Sequence, residues 1–438
     1  MRSPLAAAFG FLCLPLLPAC ALLGASPRDT FHGEPGPAHL DLTSFHGWRR
    51  CGQLANGLVR ATVVPQTGGR TLEYALDGYN YLFIGEDELG AVLADRGEPR
   101  YHHFGGQFAQ LHPEDRWVKL RSSYPPDLFM GRYELHALPS EAGKAAVELT
   151  SPVDLATGTR IVRRVELFPA STHLRITDTL TNVRLVPQDW GIQAILQLKG
   201  VSNADGLVRR EDPAKGAIAL YVPLNARSRF KGGVRFALGG PGAFETAPGL
   251  LTLRYRRQFG KALMDPALPW VAFVDHATDH VFVQTCAVPE KAVLSAGGAF
   301  APYPFIEVQS LGQVARLGPG QSVGLVQDWY AARCPGPVVD ITDAGVVAAP
   351  LSLLRGQGGT WLAGTFGLFA VGRAAVVFHG ANGAEVARFD CGAVTPLRPF
   401  VLNRTVDVPA KATRIALEVR DPAGNPVGHL GRIDLPPR

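Results

Sequence analysis

No Cys-x-x-Cys pair occurs in the 438 residues, so a cysteine-built zinc site or a thioredoxin-like redox motif is without support. There is no Gly-x-Ser-x-Gly turn and no alternation of strands and helices that would position a serine nucleophile. The one stretch reminiscent of a phosphate loop, "GGRTLE", lacks the lysine and the following helix that such a loop needs. No His-Glu-x-x-His pattern places two imidazoles on one face, and His102 and His103, as neighbours, would point to opposite sides of an extended segment; no metal is expected. Charge of one sign is also missing. Lys and Arg total 43 against 38 Asp and Glu, scattered along the chain, which excludes a basic face for nucleic acid.

What is present points to strands. The chain is 46% hydrophobic, enough for large cores, and its 49 glycines and 35 prolines punctuate short elements. In "HLRITDTLTNV", Leu174, Ile176 and Leu180 alternate with Arg175, Thr177 and Thr179, the period of a half-buried strand. Asp77-Gly78 and Asn382-Gly383 are hairpin dipeptides that accept positive φ. No long amphipathic helix stands out, so the expected fold class is all-β.

The chain opens with Arg2 and the apolar run "LAAAFGFLCLPLLPAC", too short for a membrane span and suited to an export signal over residues 1–25. "LPAC" resembles a bacterial lipobox, with Cys20 as the lipidated residue and a lipid anchor as the only membrane contact. Pro18 departs from that pattern, and "ALLGAS" offers ordinary signal cleavage as the alternative. The expected location is the periplasm or outer membrane, or the medium if no lipid is attached. Residues 26–44 read as a tether, 45–334 as one β-body, 335–350 as a Pro- and Gly-rich linker, and 351–438 as a small immunoglobulin-like β-sandwich. The cysteines beyond the signal, Cys51, Cys286, Cys334 and Cys391, are even in number, which in an oxidising compartment allows one or two disulfides.

The densest polar stretch is "HHFGGQFAQLHPEDRW", residues 102–117. Aromatic faces bind the C–H patches of a sugar, and Gln, His and carboxylates satisfy its hydroxyls. His103, Gln107, Gln110, His112, Trp117 and, beyond it, Tyr124 supply both kinds of group, with Gly105 and Gly106 permitting a bend. A surface loop packed on the rim of a sandwich would carry the same residues, and local spacing does not separate the two.

Five segments in order extend the pattern: "NGLVRATVVPQTGGR"; "FGGQFAQLHPEDRW" closing in "YPPD"; "DWGIQAILQ"; "FGKALMDPALPWVAFVD" with "HVFVQTCA"; and "PFIEVQSLGQVARLGPGQSVGLVQDWYAARC". Together they resemble a bacterial family of galactose-mutarotase-like domains without an assigned reaction, over about residues 50–334. The resemblance implies a galactose-mutarotase-like β-supersandwich with a sugar-sized cleft, and with it a carbohydrate or glycan ligand; no cofactor is expected. It also implies a late glutamate as base, a position that Glu307 matches. The chain departs from the family after Gly-Gly, where a Trp and an apolar-Pro-Gln step are replaced by Phe108, Ala109 and "LHPEDRW", so His112 and Glu114 gain no role by analogy.

Individual residues keep two readings each. Arg70 could grip a carboxylate or vicinal hydroxyls, or serve a structural salt bridge. Trp190 and Gln193 fall on a segment that turns inward in the resembling family, against core packing for the ring. Lys261 could bring an ammonium to an anionic sugar, or be solvated. Asp275, His276 and His280 read as solvated turn residues. Three functions follow: an aldose mutarotase with Glu307 as base and His103 or His112 as acid, a glycan lyase or hydrolase, or a non-catalytic glycan-binding or assembly module of the cell envelope.

Overall fold

The computed structural model describes residues 35–92, 102–116, 125–238, 244–247, 249–257, 259–286, 291–296, 303–357 and 359–436. The signal segment with Cys20, residues 26–34 of the tether, Trp117 and Tyr124 lie outside them. Among the described residues, helix is confined to single turns such as Pro126–Phe129, and the rest of the regular structure is antiparallel strand apart from one short parallel pair.

Two sheets make the body. The larger runs in the order His39–Phe45, Trp48–Ala55, Val59–Val64, Arg70–Leu76, Gly106–His112, Gln188–Lys199, Phe305–Leu311, Lys291–Ala296, Gly260–Met264, Val234–Leu238. The second places Thr159–Leu167, Leu174–Asn182, Ser322–Arg333 and His280–Cys286 near its middle. The expected alternation holds: Leu174, Ile176 and Leu180 are buried while Arg175, Thr177 and Thr179 are half-buried. These inward residues meet Leu196, Leu198, Ile306 and Val308 of the larger sheet in one continuous apolar core. Asp77 and Gly78 both adopt positive φ, 49° and 79°, closing the hairpin between Arg70–Leu76 and Tyr79–Asn80.

One polar pair interrupts this core. Arg163 makes a fork to Asp178, Nε to Oδ1 at 2.8 Å and Nη2 to Oδ2 at 3.1 Å, both residues essentially unexposed. Its Nη1 donates across the gap to the carbonyls of Gly69 and Gln107, at 3.1 and 3.0 Å. The guanidinium therefore ties the second sheet to the strand Gly106–His112 and to the turn that leads into Arg70–Leu76.

The C-terminal region is a sandwich of two four-stranded sheets around its own core of Leu362, Phe366, Val376, Ile415 and Leu417. Two expected connections are corrected. The segment 335–350 is not a linker, because the strand Gly345–Gly356 begins within it and Asp340–Ile341 pairs with that strand. Likewise the tether ends at residue 38, since His39–Phe45 pairs with Trp48–Ala55. The body and the sandwich share an apolar boundary that includes Val274, Val281, Ala332, Cys334, Val346 and Phe369.

The disulfide expectation also fails: all four cysteines are free thiols. Each is committed to a different apolar cluster. Cys51 packs with Trp48, Cys286 in the body core, Cys334 at the boundary, and Cys391 against the sandwich core.

Candidate functional site

The central strand Gln188–Lys199 determines which residues can meet. Ile192, Ala194, Leu196 and Leu198 enter the core, so Gln193, Ile195 and Gln197 face the opposite side of the larger sheet, which we refer to as its open face because the second sheet does not cover it. All three are nonetheless buried, and Ile195 packs with Trp48, Phe108 and Phe129. Residues directly across an antiparallel pair share a face. Gln193 lies opposite Gln110 and Leu311; Ile195 opposite Phe108 and Gln309; Gln197 opposite Gly106 and Glu307. The row of Gln197 and Glu307 continues through the backbone of Ser295 to Lys261.

Glu307 is fixed by its neighbours on this face. Gln197 Nε2 donates to one carboxylate oxygen at 2.9 Å and Gln309 Nε2 to the other at 2.6 Å. Gln193 Nε2 donates to Glu114 Oε1 at 3.0 Å, linking the sheet to the segment after His112. A carboxylate held between two amides, with further amides beside it, is a surface of donors and acceptors of the kind that hydroxyl-rich ligands need. Gln197 and Gln309 escaped sequence reasoning, although the signal was there: Gln193 and Gln197 four apart, and Glu307 and Gln309 two apart, must share a face in a strand.

Period two also separates residues that the sequence grouped together. Gln107 is three residues from Gln110, so it points the other way, fully buried opposite Leu196 in the inter-sheet core. Trp190 likewise belongs to the core, its Nε1 donating to Gln188 Oε1 at 3.1 Å, and offers no ring to the open face. Arg70 is 1% exposed. Its guanidinium sits 3.7 Å from the Phe108 ring and 4.8 Å from that of Phe129, and donates to the Gly105 carbonyl at 2.9 Å. Arg70 therefore lies on the open-face side of the sheet, enclosed by the rings of Phe104, Phe108 and Phe129.

The two candidate acids are not equivalent. His112 shares the open face but stands opposite Gly191, six residues along the central strand from Gln197 and hence from Glu307. At the rise of an extended chain this is about 20 Å, too far for both groups to serve one sugar ring. His103 lies at the same end of the sheet as Glu307. It precedes Gly106 by three residues, and its ring stands edge-on to Tyr303, centroids 5.6 Å apart. Its neighbour His102 turns elsewhere, Nδ1 2.7 Å from Glu88 Oε2 and stacked on Phe104. The bend between them and the strand requires glycine: Gly105 has φ 86°, and a Cβ there would lie 1.9 Å from the Phe83 carbonyl oxygen.

A second polar cluster corrects the reading of "VDHATDHVF". Asp275 is fully buried and His280 is 6% exposed, so neither is a solvated turn residue. Both Tyr79 Oη and Ser202 Oγ donate to Asp275 Oδ2 at 2.5 Å, and the His280 ring stacks on Tyr79 at 3.9 Å. Lys199 Nζ lies 3.4 Å over the same tyrosine ring and donates to the Asn203 carbonyl. Burial lowers Lys199 to about 7. Burial, helped by the charges of Arg333 and Lys199, lowers His280 to about 3. Ser202 also lines a cavity of about 510 Å3 together with Asn203, Asp205, Arg209 and Ala217. None of the open-face residues lines that cavity.

No protein-family model and no curated protein matches the chain. Solved structures similar to it include a protein from Synechocystis, 16% identical, covering 66% of this chain and 98% of that one, with a TM-score of 0.46. A galactose mutarotase-like protein from Clostridium acetobutylicum is 12% identical, covering 68% and 99%, with a TM-score of 0.46. Another galactose mutarotase-like protein, from Lactobacillus casei, is 13% identical, covering 64% and 99%, with a TM-score of 0.42.

Proposed function

We propose that this chain is a carbohydrate-binding protein whose ligand lies on the open face of the larger sheet, across Glu307, Gln197, Gln309, Gln193 and Gln110. The observation that carries this reading is the Glu307 carboxylate clasped by Gln197 and Gln309 on a face shared with two further buried amides. Amide and carboxylate pairs match vicinal hydroxyls, and their fixed orientation lowers the ordering cost of binding.

The chemistry that suits this arrangement is mutarotation of an aldose. Glu307 takes the proton of the anomeric hydroxyl, His103 gives a proton to the ring oxygen, and the C1–O5 bond breaks. After rotation about C1–C2 the ring recloses and both protons return. Polarimetry on a freshly dissolved aldose checks this. The purified chain should accelerate the approach to equilibrium, and Glu307→Gln should slow it by about 100-fold or more. Saturable sugar binding without acceleration would leave the non-catalytic module as the function. Absence of both would remove the carbohydrate reading.

We further propose that the protein is exported and held at the membrane by lipid on Cys20, a reading supported by the Leu17-Pro18-Ala19-Cys20 run after a short apolar segment. Cells fed labelled palmitate should label the chain, and Cys20→Ala should abolish the label.

A further inference from the structure

Two cations stand on the open face between Glu307 and the edge of the sheet. In the strand Gly260–Met264, Ala262 and Met264 enter the core, which puts Lys261 and Leu263 on the open face. In the neighbouring strand Val234–Leu238, Val234 and Phe236 pack against the same core, and Arg235, directly across from Leu263, shares the open face with Lys261. Neither Lys261 nor Arg235 has an acidic partner among the described residues, where most other arginines of the body are paired or bonded to carbonyls. Lys261 is half-buried and Arg235 is exposed.

The register fixes where these charges fall. Lys261 belongs to the row of Glu307, two strand spacings away, and Arg235 to the row of Gln309, three spacings away. At about 4.8 Å per spacing, Lys261 is about 10 Å from Glu307 along the backbone rows. A ligand seated on the Glu307 amides and extending toward the edge strand therefore meets both cations. Resting on the carbohydrate reading of this face, we infer that the ligand is an anionic glycan, bearing carboxylate or sulfate on the sugar unit beside the one over Glu307, and that Lys261 and Arg235 hold that group.

Charge-assisted bonds to two cations favour an acidic glycan over its neutral counterpart, and the preference weakens with added salt. The test is a glycan array carrying carboxylate-bearing, sulfate-bearing and neutral oligosaccharides, read with the full chain and with the double variant Lys261→Ala, Arg235→Ala. Acidic glycans should dominate the binding, and the double variant should weaken them by about tenfold or more while leaving neutral analogues unchanged. Lys261→Arg with Arg235→Lys should keep the preference, which separates charge from a folding defect. Carboxylate-only or sulfate-only binding would identify the group. Binding confined to neutral glycans, or acidic binding unaffected by the double variant, overturns the inference while the carbohydrate reading stands. No binding to any glycan overturns both.

Discussion

At the scale of single residues, His280 shows how far burial can shift a group that the sequence places in a turn. Stacked on Tyr79 and held near Arg333 and Lys199, it resists protonation down to about pH 3, whereas in the unfolded chain it takes its proton near 6.5. Below 6.5 the unfolded state binds the extra proton. The stability tied to a neutral His280 is thus present above 6.5 and lost as pH falls toward 3, at up to about 1.4 kcal/mol per pH unit. Urea unfolding at pH 7, 5.5 and 4 should show this loss, and His280→Gln should flatten it. Equal slopes in the two proteins would mean that other groups govern the acid limb. Lys199 carries the same kind of burden in a higher window: burial lowers it from 10.5 to about 7, so stability falls as pH drops from 10.5 toward 7, and the cost is complete below that.

At the scale of elements, strand periodicity sorts the candidates more sharply than chemistry does. Gln107 and Gln110 are chemically identical and three residues apart, yet one points between the two sheets and the other lies on the opposite face. Register does the same between strands, bringing Glu307 beside Gln197 and leaving His112 about 20 Å away along the central strand. The sheets that hold this register are tied together by Arg163, whose loss should be felt throughout the body. Arg163→Met leaves Asp178 buried without its partner and two carbonyls without a donor, and should destabilise the chain by about 3–5 kcal/mol. Pairing it with Asp178→Leu should recover much of that loss, because the cost lies in the abandoned charge. Chemical denaturation of the single and double variants measures both effects.

At the scale of the whole molecule, the body and the C-terminal sandwich fall within one compact unit. The Phe369 carbonyl accepts from the Thr172 amide at 2.7 Å and its hydroxyl at 3.1 Å, and the Phe369 ring stacks on Tyr330 at 4.6 Å. Calorimetry should therefore show a single cooperative transition. Phe369→Ala, which removes the ring from the shared boundary, should cost about 3–5 kcal/mol and separate the two melts. Two transitions in the unaltered protein would show instead that the boundary is not coupled to folding.

The sequence by itself determined the strands, their alternation, the tight hairpin at Asp77-Gly78 and the presence of two β-bodies, because each rests on interactions within a few residues. The polar density of residues 102–117 singles out Gln110, and the family resemblance singles out Glu307 and Gln193. Only the tertiary structure decided which face of each strand meets the second sheet, and therefore that Gln107 and Trp190 are interior. It alone decided that Asp275 and His280 are buried beneath residues 79, 199 and 202. Alternation gives a strand two faces but does not say which one another sheet will cover. Pairing between strands far apart in the chain sets the register that joins Gln197, Glu307 and Lys261 in one row.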